Sequence, residues 1–168
     1  MKLKILVAAL FILGWRPALY AADSETPEII PNCDIPTGDF ASTNAKDPEG
    51  CWHACKGIPK CQAFTFISGW NKCLLKTSTK TRTGVRFYSG KYSRDAKIET
   101  EEGFDIDYPG HDIHPTLKTS DNEGCLAECM KNTKCVAYGF LAGYDQCWLK
   151  SKADRKQTKV FSCGIVRR

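Results

Sequence analysis

The chain has 168 residues, of which 10 are cysteine and 26% are charged, and its formal net charge is +5. So many cysteines indicate disulfide bonds, which persist only in oxidising compartments, and therefore predict export from the cytosol. The three basic residues among the first 22 would leave with a signal peptide, which reduces the net charge to about +2 and gives no support to a nucleic-acid partner.

The N-terminus is typical of a secretory signal peptide. Two lysines precede an apolar run, Ile5 to Gly14, and small residues follow near Ala22. A membrane anchor is the alternative, but it needs about 20 apolar residues and Arg16 interrupts the run too early. We therefore predict a signal peptide over 1–22, secretion, and no membrane insertion. Residues 23–31 are acidic and contain two prolines, so they form either a short pro-segment or a loose N-terminus.

An internal repeat contains eight of the ten cysteines. The spacing C-x3-C-x5-C-x11-C begins at Cys51 and again at Cys125, 74 residues later. A phenylalanine, a glycine and a Leu-Lys pair agree at the same offset. The repeat therefore predicts two modules of one kind, over 32–96 and 97–168.

Each module is predicted to place a short helix on an antiparallel sheet, which makes the fold class α+β. Asp47 and Pro48 provide a helix start in the first copy, and Ser120 to Glu123 is typical of a capping box in the second. The first two cysteines of each quartet lie at i and i+4, on one helix face that must meet a sheet. The β-rich runs are 62–67 and 86–92 in the first copy, and 136–141 and 160–166 in the second.

Two cysteines lie outside the quartets. Asp107 stands at the repeat position of Cys33, and Ser89 stands at that of Cys163, so each copy lacks the cysteine that its twin has. We therefore predict a Cys33–Cys163 bond that joins the two modules.

This cysteine pattern resembles that of the PAN/apple domain over nearly all of residues 33–166. The resemblance implies modules in which disulfides staple a short helix to an antiparallel sheet. The implied nested pairs are Cys51–Cys73, Cys55–Cys61, Cys125–Cys147 and Cys129–Cys135. The compact arrangement is similar to the small galactose-binding microneme lectins of Sarcocystis and related apicomplexan parasites. That similarity implies recognition of galactose or N-acetylgalactosamine on host-cell glycans during attachment, and storage in the microneme, an apical secretory organelle.

A galactose site needs an aromatic ring for the apolar face of the sugar and polar groups for its hydroxyls. The second module offers more of both groups, because it has Tyr144 and Asp145 where the first module has Trp70 and Asn71. A site in the first module stays an alternative. Alternation along the strand gives Tyr138 and Phe140 a second interpretation, as core residues. The predicted carbohydrate-binding residues are Tyr144, Asp145, Lys150, Tyr138, Phe140 and His111.

Two other functions stay open beside the lectin. One is a binder of sulfated glycosaminoglycans, and the other is a protein-docking module without a glycan site. The basic runs that suggest the first are Lys76, Lys80, Arg82 and Arg86 in one module, and Lys150, Lys152, Arg155, Lys156 and Lys159 in the other.

Catalysis and metal binding have little support in the sequence. No nucleophile motif or phosphate loop is present, so we predict no enzyme activity and no cofactor. His111 and His114 flank Asp112, but this spacing is weak evidence for zinc, and we predict no metal site. A single shallow sugar site gains from avidity, which favours a homodimer.

Overall fold

The computed structural model describes residues 27–95 and 98–167, and the predicted signal peptide lies outside them. The helices are α1 (Pro48–Lys56) and α2 (Asn122–Lys131). The strands are β1 (Ile29–Pro31), β2 (Cys33–Asp34), β3 (Asp39–Asn44), β4 (Ala63–Ile67), β5 (Lys72–Lys76), β6 (Arg82–Thr83), β7 (Phe87–Ser93), β8 (Ile98–Phe104), β9 (Ile106–Asp107), β10 (Asp112–Lys118), β11 (Ala137–Leu141), β12 (Gln146–Lys150), β13 (Gln157–Thr158) and β14 (Phe161–Ile165). Among the described residues, neither helix is long and apolar enough to cross a bilayer.

Two five-stranded antiparallel sheets, each packed against one helix, form two lobes. Lobe 1 has the strand order β1-β14-β4-β5-β3 and carries α1, and lobe 2 has the order β10-β12-β11-β7-β8 and carries α2. Two short ribbons, β2 with β6 and β9 with β13, complete the pairing. The predicted α+β fold class, with helices on antiparallel sheets, is confirmed.

The two repeats exchange their last strands. β7 of the first repeat pairs with β11 in lobe 2, and β14 of the second repeat pairs with β4 in lobe 1. The registers are equivalent, because Leu141 lies opposite Phe87 as Ile67 lies opposite Phe161. The β-rich runs 86–92 and 160–166, which belong to the first and second copy in sequence, therefore each lie in the sheet of the other lobe. A strand pattern is local, and it does not report which sheet accepts the strand.

The predicted boundary between the modules lies outside the described residues, because it falls at 96/97. In sequence it lies between β7 and β8, which are antiparallel neighbours in the sheet of lobe 2. The division at 96/97 stays a prediction about the sequence repeats, whereas the hydrogen-bonded sheets cross it.

Five disulfides hold helices, sheets and repeats together, and they are the expected pairs. In each lobe the helix supplies two cysteines, one of which bonds to the second strand of the central hairpin. Cys33 on β2 bonds to Cys163 on the exchanged strand β14, across 130 residues of sequence. This last bond closes lobe 1 with one residue from each repeat. The full set is Cys33–Cys163, Cys51–Cys73, Cys55–Cys61, Cys125–Cys147 and Cys129–Cys135.

Both helices begin at an aspartate cap. The carboxylate of Asp47 accepts a hydrogen bond from the Gly50 amide at 2.8 Å, and that of Asp121 accepts one from Gly124 at 2.7 Å. These bonds satisfy amides that have no partner within the helix. The N-cap of α2 is therefore Asp121, one residue after the serine of the predicted capping box.

The segment before Cys33 is part of the fold where the structure describes it. Ile29–Pro31 pairs with the exchanged strand β14 as an edge strand of lobe 1. Arg167 also binds Glu28, with 2.9 Å between the guanidinium and the carboxylate. A loose N-terminus is therefore wrong for residues 29–31, and cleavage of a pro-segment stays a prediction.

The lobes are joined by an apolar core. Each lobe has its own buried cluster of cysteines and aromatic rings under its helix. A third cluster lies between the lobes and takes equivalent residues from both repeats, so it fixes one lobe against the other. Its buried members are Ile67, Val85, Phe87, Leu141 and Phe161.

We expect Gly69→Ala to destabilise the contact between the lobes. Gly69 has φ +63°, and a Cβ there would lie 1.8 Å from the carbonyl oxygen of Thr158. Gly84→Ala is the matched control, because Gly84 has φ +72° and open space around it. The left-handed backbone costs each alanine roughly 1–2 kcal/mol, and the clash adds to this only at Gly69. Urea denaturation should rank the two variants in this order, and equal losses would contradict the clash.

Candidate functional site

A cavity of about 290 Å³ opens beside the core between the lobes, and we name it the interlobe pocket. This volume is close to the lower end of small-molecule sites, which span roughly 300–1,000 Å³. The pocket combines aromatic rings with both signs of charge. Its lining residues are Trp70, Phe87, Asp107, Pro109, Gly110, Asp112, Trp148, Lys150 and Lys159.

Both repeats build the interlobe pocket. Trp70 stands in the turn between β4 and β5 of lobe 1, and 48% of its surface is exposed. Strands of lobe 2 supply Asp107 from β9 and Lys150 from β12. Lys159 lies between β13 and the exchanged strand β14. The strand exchange therefore brings the second-repeat lysine beneath the first-repeat tryptophan.

Lys159 occupies the centre of the aromatic wall. Its ammonium lies 4.2 Å from the ring centroid of Phe87 and 4.5 Å from that of Trp70. It also donates a hydrogen bond to Asp107 Oδ2 at 3.0 Å. Burial lowers the pKa of Lys159 below its ordinary value, and the Asp107 carboxylate opposes this shift only in part. The rings and the carboxylate together hold a buried cation in a fixed place.

A second lysine and two aspartates form the floor of the pocket. Lys150 is 4% exposed, and its ammonium contacts Asp112 and lies 3.9 Å from Asp107 Oδ1. Asp107 Oδ1 is buried and accepts no hydrogen bond from any residue that the structure describes. A buried carboxylate oxygen without a donor is costly, so it favours a ligand that supplies one.

The equivalent positions in lobe 1 carry a disulfide and an apolar side chain. Asp107 and Ser89 of lobe 2 correspond to the bonded pair Cys33 and Cys163. Lys159 corresponds to Val85, which is fully buried. The fold therefore tolerates a disulfide and a valine here, and the charges in lobe 2 are not required by the architecture.

The structure does not bring the six predicted site residues together. Lys150 lies in the interlobe pocket, and His111 is an exposed neighbour of its lining residues, with Nε2 3.8 Å from Asp154 Oδ1. The described residues contain no cluster of three metal-ligating side chains, and the side chain of His114 lies outside the description. Tyr138 is fully buried in the core of lobe 2.

Two more of the predicted residues line a different cavity. Phe140 packs in the core of lobe 2, with 4% of its surface exposed, and also borders a cavity of about 640 Å³ at the start of α2. Asp145 is exposed on the rim of that cavity.

Tyr144 joins the two lobes. Its hydroxyl donates a hydrogen bond to Asp34 of lobe 1, and the Arg82 guanidinium stacks over its ring at 4.4 Å. Burial and the Asp34 carboxylate raise the pKa of the Tyr144 phenol. Tyr144 therefore forms a contact between the two lobes.

Sequence reasoning missed five polar or aromatic residues of the pocket, namely Phe87, Asp107, Asp112, Trp148 and Lys159. A signal was present for two of them, because Asp107 replaces a cysteine of the other repeat and Lys159 replaces a valine. A charge at a position that is apolar in the twin repeat indicates either exposure or a polar site.

Comparison with known families identifies both halves of the chain. Residues 26–102 match a PAN domain, and residues 106–150 match a second PAN domain. A search of curated proteins finds no match to the chain. Together with the two helix-on-sheet lobes and their disulfides, these matches show that the chain belongs to the PAN/apple-domain proteins and carries two such domains in tandem.

Proposed function

We propose that this protein is a secreted lectin that binds galactose or N-acetylgalactosamine on host-cell glycans through the interlobe pocket. PAN/apple domains are binding modules, not catalytic domains, and they recognise proteins or carbohydrates. The observation that carries the proposal is an exposed tryptophan above a charge-balanced floor, in which a buried carboxylate oxygen accepts no hydrogen bond from the described residues.

Trp70 provides the stacking surface. Galactose presents an apolar patch from C3 to C6, and an indole is a large, rigid surface for such a patch. Trp70 is half-exposed at the pocket mouth, next to the half-buried Trp148. A sugar ring can therefore stack at the mouth while its hydroxyls point to the floor.

The floor suits a neutral ligand with several hydroxyls. Asp107 and Asp112 accept hydrogen bonds, whereas the ammonium groups of Lys150 and Lys159 donate them. The two carboxylates and two ammonium groups have no net charge, so an anionic ligand gains little. The free acceptor capacity of Asp107 Oδ1 favours a hydroxyl donor.

The alternative of a sulfated-glycan binder has less support from the geometry. Lys76 is 1% exposed and paired with Asp39 at 2.5 Å, and Arg86 is paired with Asp105 at 3.1 Å. Arg82 stacks on Tyr144, and the two pocket lysines are buried. More than half of the basic side chains that suggested a polyanion site are thus already engaged.

The setting of the lectin is also part of the proposal. The N-terminal apolar segment and the ten cysteines support secretion, and the likeness of the arrangement to microneme lectins supports storage in that organelle. One pocket for each chain favours a homodimer, because two linked weak sites gain avidity of about 10²–10⁴.

We expect Trp70→Ala to weaken galactose binding about 2–12-fold, since aromatic stacking contributes about 0.5–1.5 kcal/mol. Calorimetric titration with galactose at high salt measures this, and glucose tests the sugar preference. Trp70→Phe keeps a stacking ring and should retain most of the affinity. Met130→Ala removes an exposed apolar side chain elsewhere, so it controls for surface effects.

Two results would reject the lectin proposal. One is wild-type protein that is folded but binds none of galactose, N-acetylgalactosamine or a galactose-bearing resin. The other is sugar binding that survives Trp70→Ala unchanged, which would place the site elsewhere. Binding to heparin that falls steeply with salt would favour the sulfated-glycan alternative.

A further inference from the structure

We propose that the larger cavity at the start of α2 binds a lysine or arginine side chain from a basic segment of a partner protein. We name it the acidic cavity. Its volume is about 640 Å³, and it shares no lining residue with the interlobe pocket. Its lining residues are Tyr88, Phe104, Ser120, Asp121, Asn122, Glu123, Leu126, Phe140, Ala142, Gly143 and Asp145.

Three aromatic rings form one wall of the acidic cavity. The Tyr88 ring lies 4.9 Å from that of Phe104, edge to face, and 6.4 Å from that of Phe140. Phe104 is 53% exposed, which is unusual for a phenylalanine and leaves much of its surface accessible. Aromatic faces attract cations, and desolvation in a cavity strengthens the attraction.

The charged side chains that line the acidic cavity are all acidic, and the nearest cations, Arg82 and Lys118, donate to the backbone carbonyls of Gly143 and Tyr144. Asp121, Glu123 and Asp145 line the cavity, and no lysine, arginine or histidine does. Asp121 is committed to the helix cap. Glu123 and Asp145 are exposed and have no ion-pair partner among the described residues. Aromatic rings and carboxylates without an ion-pair partner, lining one cavity, are complementary to an alkyl ammonium or a guanidinium.

Phe104 already accepts a guanidinium. The Arg86 guanidinium carbon lies 4.6 Å from the Phe104 ring centroid. Arg86 Nη2 also forms an ion pair with Asp105 Oδ2 at 3.1 Å. Arg86 itself does not line the cavity. The contact shows that the Phe104 ring accepts a cation in this fold.

The corresponding place in lobe 1 is filled. Leu126 corresponds to Trp52, which is 7% exposed and packs in the lobe 1 core. The Lys56 ammonium stacks over the Trp52 ring at 4.6 Å. In lobe 1 the Trp52 ring and the Lys56 ammonium therefore occupy the space that is a cavity in lobe 2. Lobe 2 also has the charged Asp145 where lobe 1 has the neutral Asn71.

The probe for this site is the peptide Arg-Gly-Arg-Gly-Arg, with glutamine in place of arginine as its control. We expect the arginine peptide to bind one acidic cavity per chain in an NMR titration at low salt, and the glutamine peptide not to bind. Leu126→Trp copies lobe 1 and fills the cavity, so it should weaken binding about tenfold or more. The double variant Glu123→Gln/Asp145→Asn should weaken it similarly.

Glu49→Gln is the matched control, because Glu49 is the lobe 1 counterpart of Glu123. It removes one negative charge, half of the charge that the double variant removes, and should leave the affinity within about twofold. Thermal unfolding of each variant checks that it is folded. Equal binding of the arginine peptide to Leu126→Trp and wild type, or binding of both peptides alike, would overturn the proposal. Galactose affinity should be unchanged in all these variants, so the lectin proposal and this one can fail separately.

Discussion

Separated repeats, cut between residues 96 and 97, are expected not to fold as stable monomers. Each would lose a strand from the interior of its sheet, since β14 lies between β1 and β4, and β7 lies between β8 and β11. The first repeat would expose an edge of β4, and its Cys33 would lack its partner. Unpaired edges and half-built cores are unstable in water and prone to association.

Mixing the two halves should restore the fold. Refolding in a glutathione buffer is expected to give a one-to-one complex in which Cys33 and Cys163 are bonded, because the cut lies in the connection between β7 and β8. Size-exclusion chromatography, NMR dispersion and non-reducing peptide mapping report the result. A well-dispersed monomer from either half alone would show that β7 or β14 folds back into its own repeat, and would contradict the requirement for exchange.

A second disulfide, built at the repeat position of the first, is expected to stabilise lobe 2 and abolish sugar binding. The triple variant Ser89→Cys/Asp107→Cys/Lys159→Val gives lobe 2 the residues of lobe 1 at these three positions. In lobe 1 the bonded Cα atoms lie 5.3 Å apart, within the range that a disulfide requires. Closing a loop of roughly 15–20 residues stabilises by about 3 kcal/mol. Ser89 Oγ and Asp107 Oδ1, both buried without a hydrogen-bond partner among the described residues, would also disappear.

The control for this variant is Ser89→Ala/Asp107→Ala/Lys159→Val, which removes the same charges without forming a bond. Denaturation with and without reductant isolates the effect of the disulfide, and mass spectrometry verifies that it forms. Both variants should lose galactose affinity, because they remove two of the four charged groups of the interlobe pocket, Asp107 and Lys159. Sugar binding that persists in both would show that the pocket is not the lectin site.

The fold was predictable where its determinants are local. Cysteine spacing and the aspartate at each helix start lie within short stretches of sequence, and the structure has helices there. The exchange was not predictable, because Phe87 and Phe161 occupy equivalent positions in equivalent strands. The path of the connection that precedes each strand decides which sheet the strand joins. The alternation of apolar residues carries no information about that path.

The candidate site was predictable only in part for the same reason. Lys150 follows a repeated cysteine and was recognisable in sequence. Trp70 reaches the interlobe pocket only because the lobes pack through a shared core. Phe140 and Tyr138 were candidates for the site. A side chain in a strand can point to either face of its sheet, and in lobe 2 these two rings point to the face that packs in the core. Their roles in binding stay predictions.

The equivalent registers of the exchanged strands have an evolutionary consequence. Two identical subunits that exchanged their last strand would have this arrangement, with one repeat in each subunit. Such a homodimer must carry the same residue at both symmetry-related positions, so it cannot have a disulfide in one lobe and an aspartate in the other. A tandem gene removes that constraint. One lobe can then retain the stabilising bond, as Cys33–Cys163 does, while the other is free to diverge toward ligand binding.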